Sequence, residues 1–334
     1  MDSLYEKKVS ECYFCKSGDI VPHSKARFWN AADLNFTECR NCGLIFCNPM
    51  PTLDVIIRAN EALNIVHVSR GTVQQYRGGK QFAYKLKKIM EKGILLDVGC
   101  AEGFLLKGIE DNSGWKAEGL DIIKPAVDFA NNELGVKAYY GILEELKGCE
   151  ERYDYVRMNN VIEHVQNPFE FLKKTNTILK NGGLVWCSTP NGVQDGAVHK
   201  TANKQGTVLN LLENHFFYYK PKTLKNMFEA CGFKIVKSYC EGIKHSLTDF
   251  GLVPGAKIKG IFEDYYLDDY ADKKNDGFVF SKEDVEKLRN DKSLKDYKLK
   301  FDLFINRVSR LRIPSAIPIG HQQNILAKKI SRIQ

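Results

Sequence analysis

Residues 94–110 read "ILLDVGCAEGFLLKGIE", and their interpretation decides the fold. An apolar run (94–98) ends in Asp97-x-Gly99-x-x-x-Gly103, and a second apolar segment follows at once. That order predicts a strand, a glycine turn and a helix. Glycines at the entrance of a helix let a ligand approach the backbone where amide groups point outward. The second half of the turn lacks the extra glycine of the dinucleotide fingerprint G-x-G-x-x-G. The next apolar run, "WKAEGLDI", ends at Asp121, 18 residues past Gly103. A carboxylate there stands where nucleotide-binding folds hold ribose hydroxyls.

The same alternation continues downstream. "PAVDFANNELG" (125–135) predicts a helix, "VKAYYG" a strand followed by "ILEEL", and "RYDYVRMNNV" (152–161) a fourth strand. "FEFLKKTNTILKNGG" predicts a helix, "LVWCSTPN" (184–191) a fifth strand, "KPKTLKNMFEACG" a helix and "FKIVKSYC" (233–240) a sixth strand. Strands alternating with amphipathic helices imply an α/β fold with a parallel, doubly wound sheet. Upstream, "QFAYKLKKIMEKG" (81–93) predicts a helix with Phe82, Leu86, Ile89 and Met90 on its apolar face. The polar, glycine-bearing residues 64–80 read as a linker or lid, and Thr52 as the cap of a short helix.

The N-terminus carries a different signal. "CYFC" (12–15) and "CRNC" (39–42) give two C-x₂-C pairs separated by 23 residues. Two such knuckles bring four thiolates onto one tetrahedral ion, so Cys12, Cys15, Cys39 and Cys42 are expected to bind a structural Zn²⁺. Cys47 is expected to face the core of a strand, and His23 to lie at the surface.

The composition is that of an ordinary globular chain: 334 residues, 43% hydrophobic, 27% charged, formal charge 49 − 41 = +8. No apolar run approaches the roughly 20 residues of a membrane helix. The start, "MDSLYEKKVSEC", has no signal-peptide core, so a cytoplasmic protein with reduced cysteines is expected. Residues 301–334 hold six Lys/Arg and one acid, a mild bias that permits phosphate-bearing partners but forms no dense nucleic-acid patch.

Taken in order, "LLDVGCAEG", "GLDI", "YDYVRMNNVIEHV", "LKNGGLVWCSTPN" and "HFFYYKPKTLKNMFEACGFKIV" resemble a class I S-adenosylmethionine-dependent methyltransferase. The ribbon with "CGLIFCNPMP" resembles that of bacterial members acting on sugars and small molecules. The resemblance implies a Rossmann-like seven-stranded sheet whose last strand is antiparallel, and "HQQNILAKKI" (321–330) fits it. The expected layout is a zinc ribbon (1–50), a helical linker or lid (51–92), the methyltransferase core (93–242), an insertion (243–320) and the final strand with its tail (321–334). The resemblance further implies that Asp97, Gly99, Cys100, Ala101 and Gly103 cradle the methionine part of S-adenosylmethionine. Asp121 then binds the ribose, Gly141 with Ile142 or Leu143 lies along the adenine, and Ile122 and Asn160 are further cofactor-binding residues. Ala101 stands where the fuller family pattern often has glycine.

"NNVIEHVQNP" (159–168) follows the fourth strand, at the carboxyl edge where ligands bind such sheets. His215 lies on the connection after the fifth strand and can reach the same cleft. Three readings stay open for Glu163, His164 and His215: they stabilise the loop, a histidine acts as general base, or the three bind a catalytic divalent ion. Ubiquinone-pathway O-methyltransferases and small-RNA 2′-O-methyltransferases carry E-x-x-E-H plus a later histidine for such an ion. Here the first carboxylate is Asn160.

In the insertion, "DKKNDGFVFSKE" (272–283) nearly fits a calcium loop, but Lys274 takes the position of an oxygen ligand. Phe262–Tyr270 reads as a lid over the acceptor or as a solvated helix face, and "SRLRIP" (309–314) as basic surface or a phosphate contact. The expected function is methyl transfer to a small hydroxylated acceptor, a sugar or nucleotide-linked sugar of polysaccharide synthesis. The alternatives are an RNA methyltransferase gripping RNA with ribbon and tail, and a non-catalytic cofactor-binding partner.

Overall fold

The computed structural model describes residues 4–28, 32–67, 72–211, 215–241, 313–315 and 321–332. The first elements are β1 (Ile20–Phe28), β2 (Ala32–Cys39), β3 (Ile45–Cys47), α1 (Leu53–His67) and α2 (Thr72–Leu86). Then come β4 (Ile94–Val98), α3 (Phe104–Glu110), β5 (Lys116–Asp121), α4 (Lys124–Phe129), β6 (Lys137–Tyr140), β7 (Tyr153–Asn159) and α5 (Pro168–Ile178). The chain continues through β8 (Leu179–Pro190), α6 (Gly192–Lys204), β9 (Leu209–Leu211), β10 (Phe217–Tyr218), α7 (Pro221–Ala230), β11 (Phe233–Glu241), β12 (Ile313–Pro314) and β13 (Gln322–Lys329).

The larger sheet has the order β12-β11-β13-β8-β7-β4-β5-β6. Strands β4 to β8 pair in parallel, and β13 runs antiparallel to both β8 and β11. This is the expected doubly wound sheet, with the antiparallel strand at the expected residues and a two-residue strand, β12, added at its edge. The strand order reverses at β4, so the carboxyl ends of β4, β5, β7 and β8 frame the crevice where such sheets bind ligands. Because these strands are covered on both faces, they are apolar almost throughout: Leu95, Leu96, Val156, Met158, Val185 and Cys187 are all fully buried. One apolar cluster joins the sheet to α2, α3 and α4 through Tyr76, Leu86, Phe104, Ile109 and Val127. The other joins its opposite face to α5, α7 and the N-terminal sheet through Phe171, Leu224, Phe228, Phe46 and Phe217.

The smaller sheet has the order β10-β3-β2-β1-β9. Two of its five strands come from the connection between β8 and α7: β9 pairs parallel with β1, and β10 antiparallel with β3. The ribbon is thus woven into the loop that carries His215. Cys47 is fully buried in β3, as expected. His23, expected at the surface, is half-buried, bonds Ser24 Oγ and lies beside Gly196 of α6.

Two local expectations are corrected. The stretch read as linker contains most of α2, which starts at Thr72 rather than 81. Its glycines mark a close helix crossing: a Cβ on Gly79 would strike the Leu105 carbonyl, and one on Gly108 the Tyr76 carbonyl. The helix also stops at Leu86, so Ile89 (48% exposed) and Met90 (46%) face solvent rather than an apolar core. Helix α6 was not anticipated, because Gly192 and Gly196 weaken its pattern. Its one sequence signal is Asn191, whose side chain accepts from Val193 N at 3.2 Å as an N-cap. The near-calcium loop, Phe262–Tyr270 and most of "SRLRIP" lie outside the described residues. Among the described residues, no helix is long and apolar enough to cross a membrane.

Candidate active site and cysteine cluster

The turn after β4 is shaped by left-handed backbone. Gly99 and Gly103 have φ of +74° and +81°. A Cβ at either would lie 2.7 Å from Val161 Cγ2 or 2.8 Å from Val136 Cγ2, so side chains are excluded on steric grounds as well. Ala101 also has positive φ, +48°. The alanine therefore holds the conformation that glycine adopts at no cost, which is why the position tolerates but does not favour it. Asp121 ties the turn to β5: its Oδ2 accepts from Ala101 N at 2.8 Å and its Oδ1 from Ile123 N at 3.0 Å. Burial pushes the Asp121 carboxyl above its ordinary value, and these amide bonds oppose the rise.

Asp97 is 1% exposed and accepts from Arg157 Nη1 at 2.6 Å. Burial raises its pKa, opposed by the Arg157 guanidinium, which itself lies over the rings of Phe82 and Trp186. Cys100 is 3% exposed, lies against Gly119 and has its thiol pushed well up by burial, so it faces the sheet and is no nucleophile. Of the two candidates beside the adenine position, Leu143 is buried in the core while Ile142 stays partly exposed. Ile122 and Gly141 are partly exposed on the same rim, and Gly141 N donates to Asp121 O at 2.9 Å. Asn160, at φ +52°, donates its amide to Ser188 O at 2.8 Å, and its Oδ1 accepts from Gln322 Nε2 at 2.8 Å. Gln322, on the last strand, was not among the residues expected at the site.

Beyond Asn160 the chain turns, with His164 N donating to Val161 O at 2.8 Å. Glu163 is fully buried; its Oε2 accepts from Thr189 Oγ1 at 2.9 Å, and its carbonyl accepts from Phe216 N (2.8 Å) and Phe217 N (3.2 Å). Those backbone bonds bring in His215, whose ring centroid lies 4.9 Å from that of His164. His164 Nε2 is 4.0 Å from Glu163 Oε1. One ligand atom from each of Glu163, His164 and His215 lies within 4.8 Å of the others. Two imidazoles and a carboxylate at this spacing can take up a proton or hold a divalent ion. Behind them, fully sequestered His199 places Nε2 2.9 Å from Tyr218 Oη, and Tyr218 packs edge-on to His215 at 6.2 Å. His199 carries no sequence motif, and Tyr218 lies within "HFFYY" (215–219) without having been singled out as a site residue; the fold brings the two together.

At the other end of the ribbon, the sulfurs of Cys12, Cys15, Cys39 and Cys42 all lie within 4.8 Å of one another. Two pairs sit at 3.6 Å (Cys12–Cys42) and 3.5 Å (Cys15–Cys39). Sulfur atoms around zinc at about 2.3 Å stand about 3.8 Å apart in a tetrahedron, so the donor set fits such an ion. The two knuckles share one backbone pattern. In each, the residue after the second cysteine has positive φ (Lys16, Gly43) and donates its amide to the first cysteine's carbonyl, at 3.2 Å and 2.8 Å. The ribbon is fastened to α7 by Thr223 Oγ1, which donates to Cys42 O at 2.5 Å, and by the Lys220–Glu38 pair at 2.9 Å.

The family described as "Methyltransferase domain" matches residues 74–238. A ubiquinone biosynthesis O-methyltransferase of Ruegeria pomeroyi is 33% identical over 102 residues, covering 29% of this chain and 41% of that protein. One of Coxiella burnetii is 24% identical over 151 residues, covering 42% and 64%. The chain thus spans about two-fifths of the length of the Ruegeria relative. Among solved structures, an S-adenosylmethionine-dependent methyltransferase of Thermotoga maritima aligns over 81% of this chain and 99% of its own, at 13% identity and a TM-score of 0.48. Residues 74–238 thus form a domain of the class I S-adenosylmethionine-dependent methyltransferases.

Proposed function

We propose that this chain moves a methyl group from S-adenosylmethionine to a hydroxyl of a small acceptor. The observation that carries the reading is the convergence of Glu163, His164 and His215 at the carboxyl edge of β7, next to Asn160. The turn from Asp97 to Gly103, with Asp121, Ile122, Gly141, Ile142 and Asn160, would hold the cofactor. Bound there, it supplies an electrophilic methyl that needs only an aligned nucleophile. His164 or His215 would take the hydroxyl proton as the methyl passes from the sulfonium sulfur to the acceptor oxygen, leaving S-adenosylhomocysteine. Glu163, fixed by Thr189, orients the imidazole beside it.

The tight spacing of the three donors supports a second reading, in which they bind a divalent ion that lowers the pKa of the acceptor hydroxyl. Asn160 stands where the enzymes with E-x-x-E-H have a carboxylate and brings no charge to that set, and its oxygen accepts from Gln322. We also propose that the four cysteines bind a structural zinc. The acceptor class we favour is a sugar, free or nucleotide-linked, and the names of the relatives make a phenol the next class to try. Cytoplasmic residence follows from the same reading.

The test is S-adenosylhomocysteine formation over a panel of sugars, nucleotide sugars, phenols and RNA. His164→Ala and His215→Ala should each lower the rate by about 10²–10⁴ with cofactor affinity unchanged. Full turnover in both variants would refute the role. Loss of wild-type activity to a chelator at unchanged zinc content, reversed by added Mg²⁺, would select the divalent ion. A steep salt dependence on RNA alone would move the acceptor to nucleic acid. Cofactor binding with no product from any acceptor would leave a non-catalytic binding protein. Asp121→Ala should weaken cofactor binding by about 10- to 100-fold, the worth of a charged hydrogen bond.

A further inference from the structure

The last strand of the sheet carries an amide with no use inside the fold. Asn324 of β13 is 1% exposed, and neither its Nδ2 nor its Oδ1 has a hydrogen-bond partner among the described residues. Leaving both groups of one buried amide unmet is costly, and native chains rarely do so without a reason. Its surroundings supply one. In the register, Asn324 stands opposite Ser188 of β8 and Tyr239 of β11, and Gln322 stands opposite Glu241. Directly opposed residues share a sheet face, so Asn324, Gln322, Ser188 and Glu241 form one polar patch at the carboxyl edge. Ser188 Oγ approaches Gln322 Oε1 at 3.5 Å, and Gln322 Nε2 bonds Asn160 Oδ1 at 2.8 Å. The patch therefore runs up to Asn160, one of the residues proposed to hold the cofactor.

We propose that Asn324, with Ser188 and Gln322, is an acceptor-binding subsite selective for neutral hydroxyl-bearing molecules over anionic ones. This rests on the methyl-transfer reading and narrows its acceptor. A hydroxyl both donates and accepts, so it satisfies the Asn324 oxygen and nitrogen together. A carboxylate or phosphate only accepts, so it would leave Oδ1 unmet.

The experiment measures dissociation constants on the full chain saturated with S-adenosylhomocysteine, using matched neutral and anionic probes. The pairs are catechol with 3,4-dihydroxybenzoate, and methyl glucoside with glucose 1-phosphate. Each neutral probe should bind about tenfold tighter than its anionic partner. Asn324→Leu should weaken neutral probes by about tenfold, leave S-adenosylhomocysteine affinity unchanged and raise the Tm, since an unmet buried amide is removed. If the leucine variant does not fold, Ser188→Ala should still weaken the neutral probes several-fold. Equal binding of neutral and anionic probes, or an Asn324→Leu variant that keeps wild-type affinity, overturns the subsite. Binding of S-adenosylhomocysteine with none of the four probes overturns it too, with the methyl-transfer reading intact. Failure to bind S-adenosylhomocysteine brings down that reading itself.

Discussion

The described residues hold two compact groups of metal-competent side chains, and they are built in opposite ways. Cys12, Cys15, Cys39 and Cys42 come from two local knuckles with the same turn, each closing on its own first cysteine carbonyl. Glu163, His164 and His215 come from separate loops that meet only because β10 pairs with β3 and Phe216 bonds the Glu163 carbonyl. Four sulfurs fill a tetrahedron and leave no position for a substrate, which suits a structural ion. Two imidazoles and one carboxylate leave positions open, which suits chemistry. The two are also mechanically joined: Cys47 N donates to Phe216 O, and Phe216 N to Glu163 O, both at 2.8 Å.

The contrast breaks most visibly if the sulfur cluster proves dispensable. Cys42→Ser should reduce bound zinc, measured by elemental analysis, from one per chain to near zero and lower the Tm by about 10 °C or more. Because β3 carries the bond to Phe216, the same variant should also lose transfer activity. The reverse holds at the other group: the double variant His164→Ala/His215→Ala should change the Tm by only about 2–4 °C while abolishing transfer. A Tm loss there as large as that of Cys42→Ser would make the histidines structural.

A third measurement probes what lies behind the histidines. Burial, with smaller effects from His215 and His23, holds His199 down at about 3 against an ordinary 6.5. The unfolded chain therefore binds the extra proton between those values. The stability contributed by neutral His199 is complete above pH 6.5 and is lost as pH falls toward 3. Acid unfolding should weaken the wild type by on the order of a few kcal/mol at pH 4, and His199→Phe should flatten that limb. The smallest effect is expected at Ala101. Relieving its φ of +48° with Ala101→Gly should change stability by about 1 kcal/mol or less and leave cofactor affinity intact.

The parts of the fold that follow from local spacing were legible in the chain. Asp97-x-Gly99-x-x-x-Gly103, Asp121 and the paired cysteines each act through neighbours within a turn or a single strand–turn–helix unit. Even the antiparallel strand near 321–330 could be placed, because the family resemblance leaves one slot for it. The misreadings share a cause. Gly79 looked like a linker residue because sequence cannot distinguish a glycine that bends from one that lets α3 approach α2. Helix α6 was hidden by glycines of its own, one of which makes room for Ile45 and His23.

The sequence alone determined the alternation of strand and helix, the glycine turn after β4 and the two paired-cysteine knuckles, because hydrophobic period, glycine and C-x₂-C spacing are local quantities. Only the tertiary structure decided that His215 stands beside His164, that Ile142 rather than Leu143 stays on the rim, and that Gln322 and Asn324 reach the same edge. Those outcomes depend on strand register and on which loop joins which sheet. Such long-range pairings are set by packing over the whole chain and leave no mark in any short stretch of it.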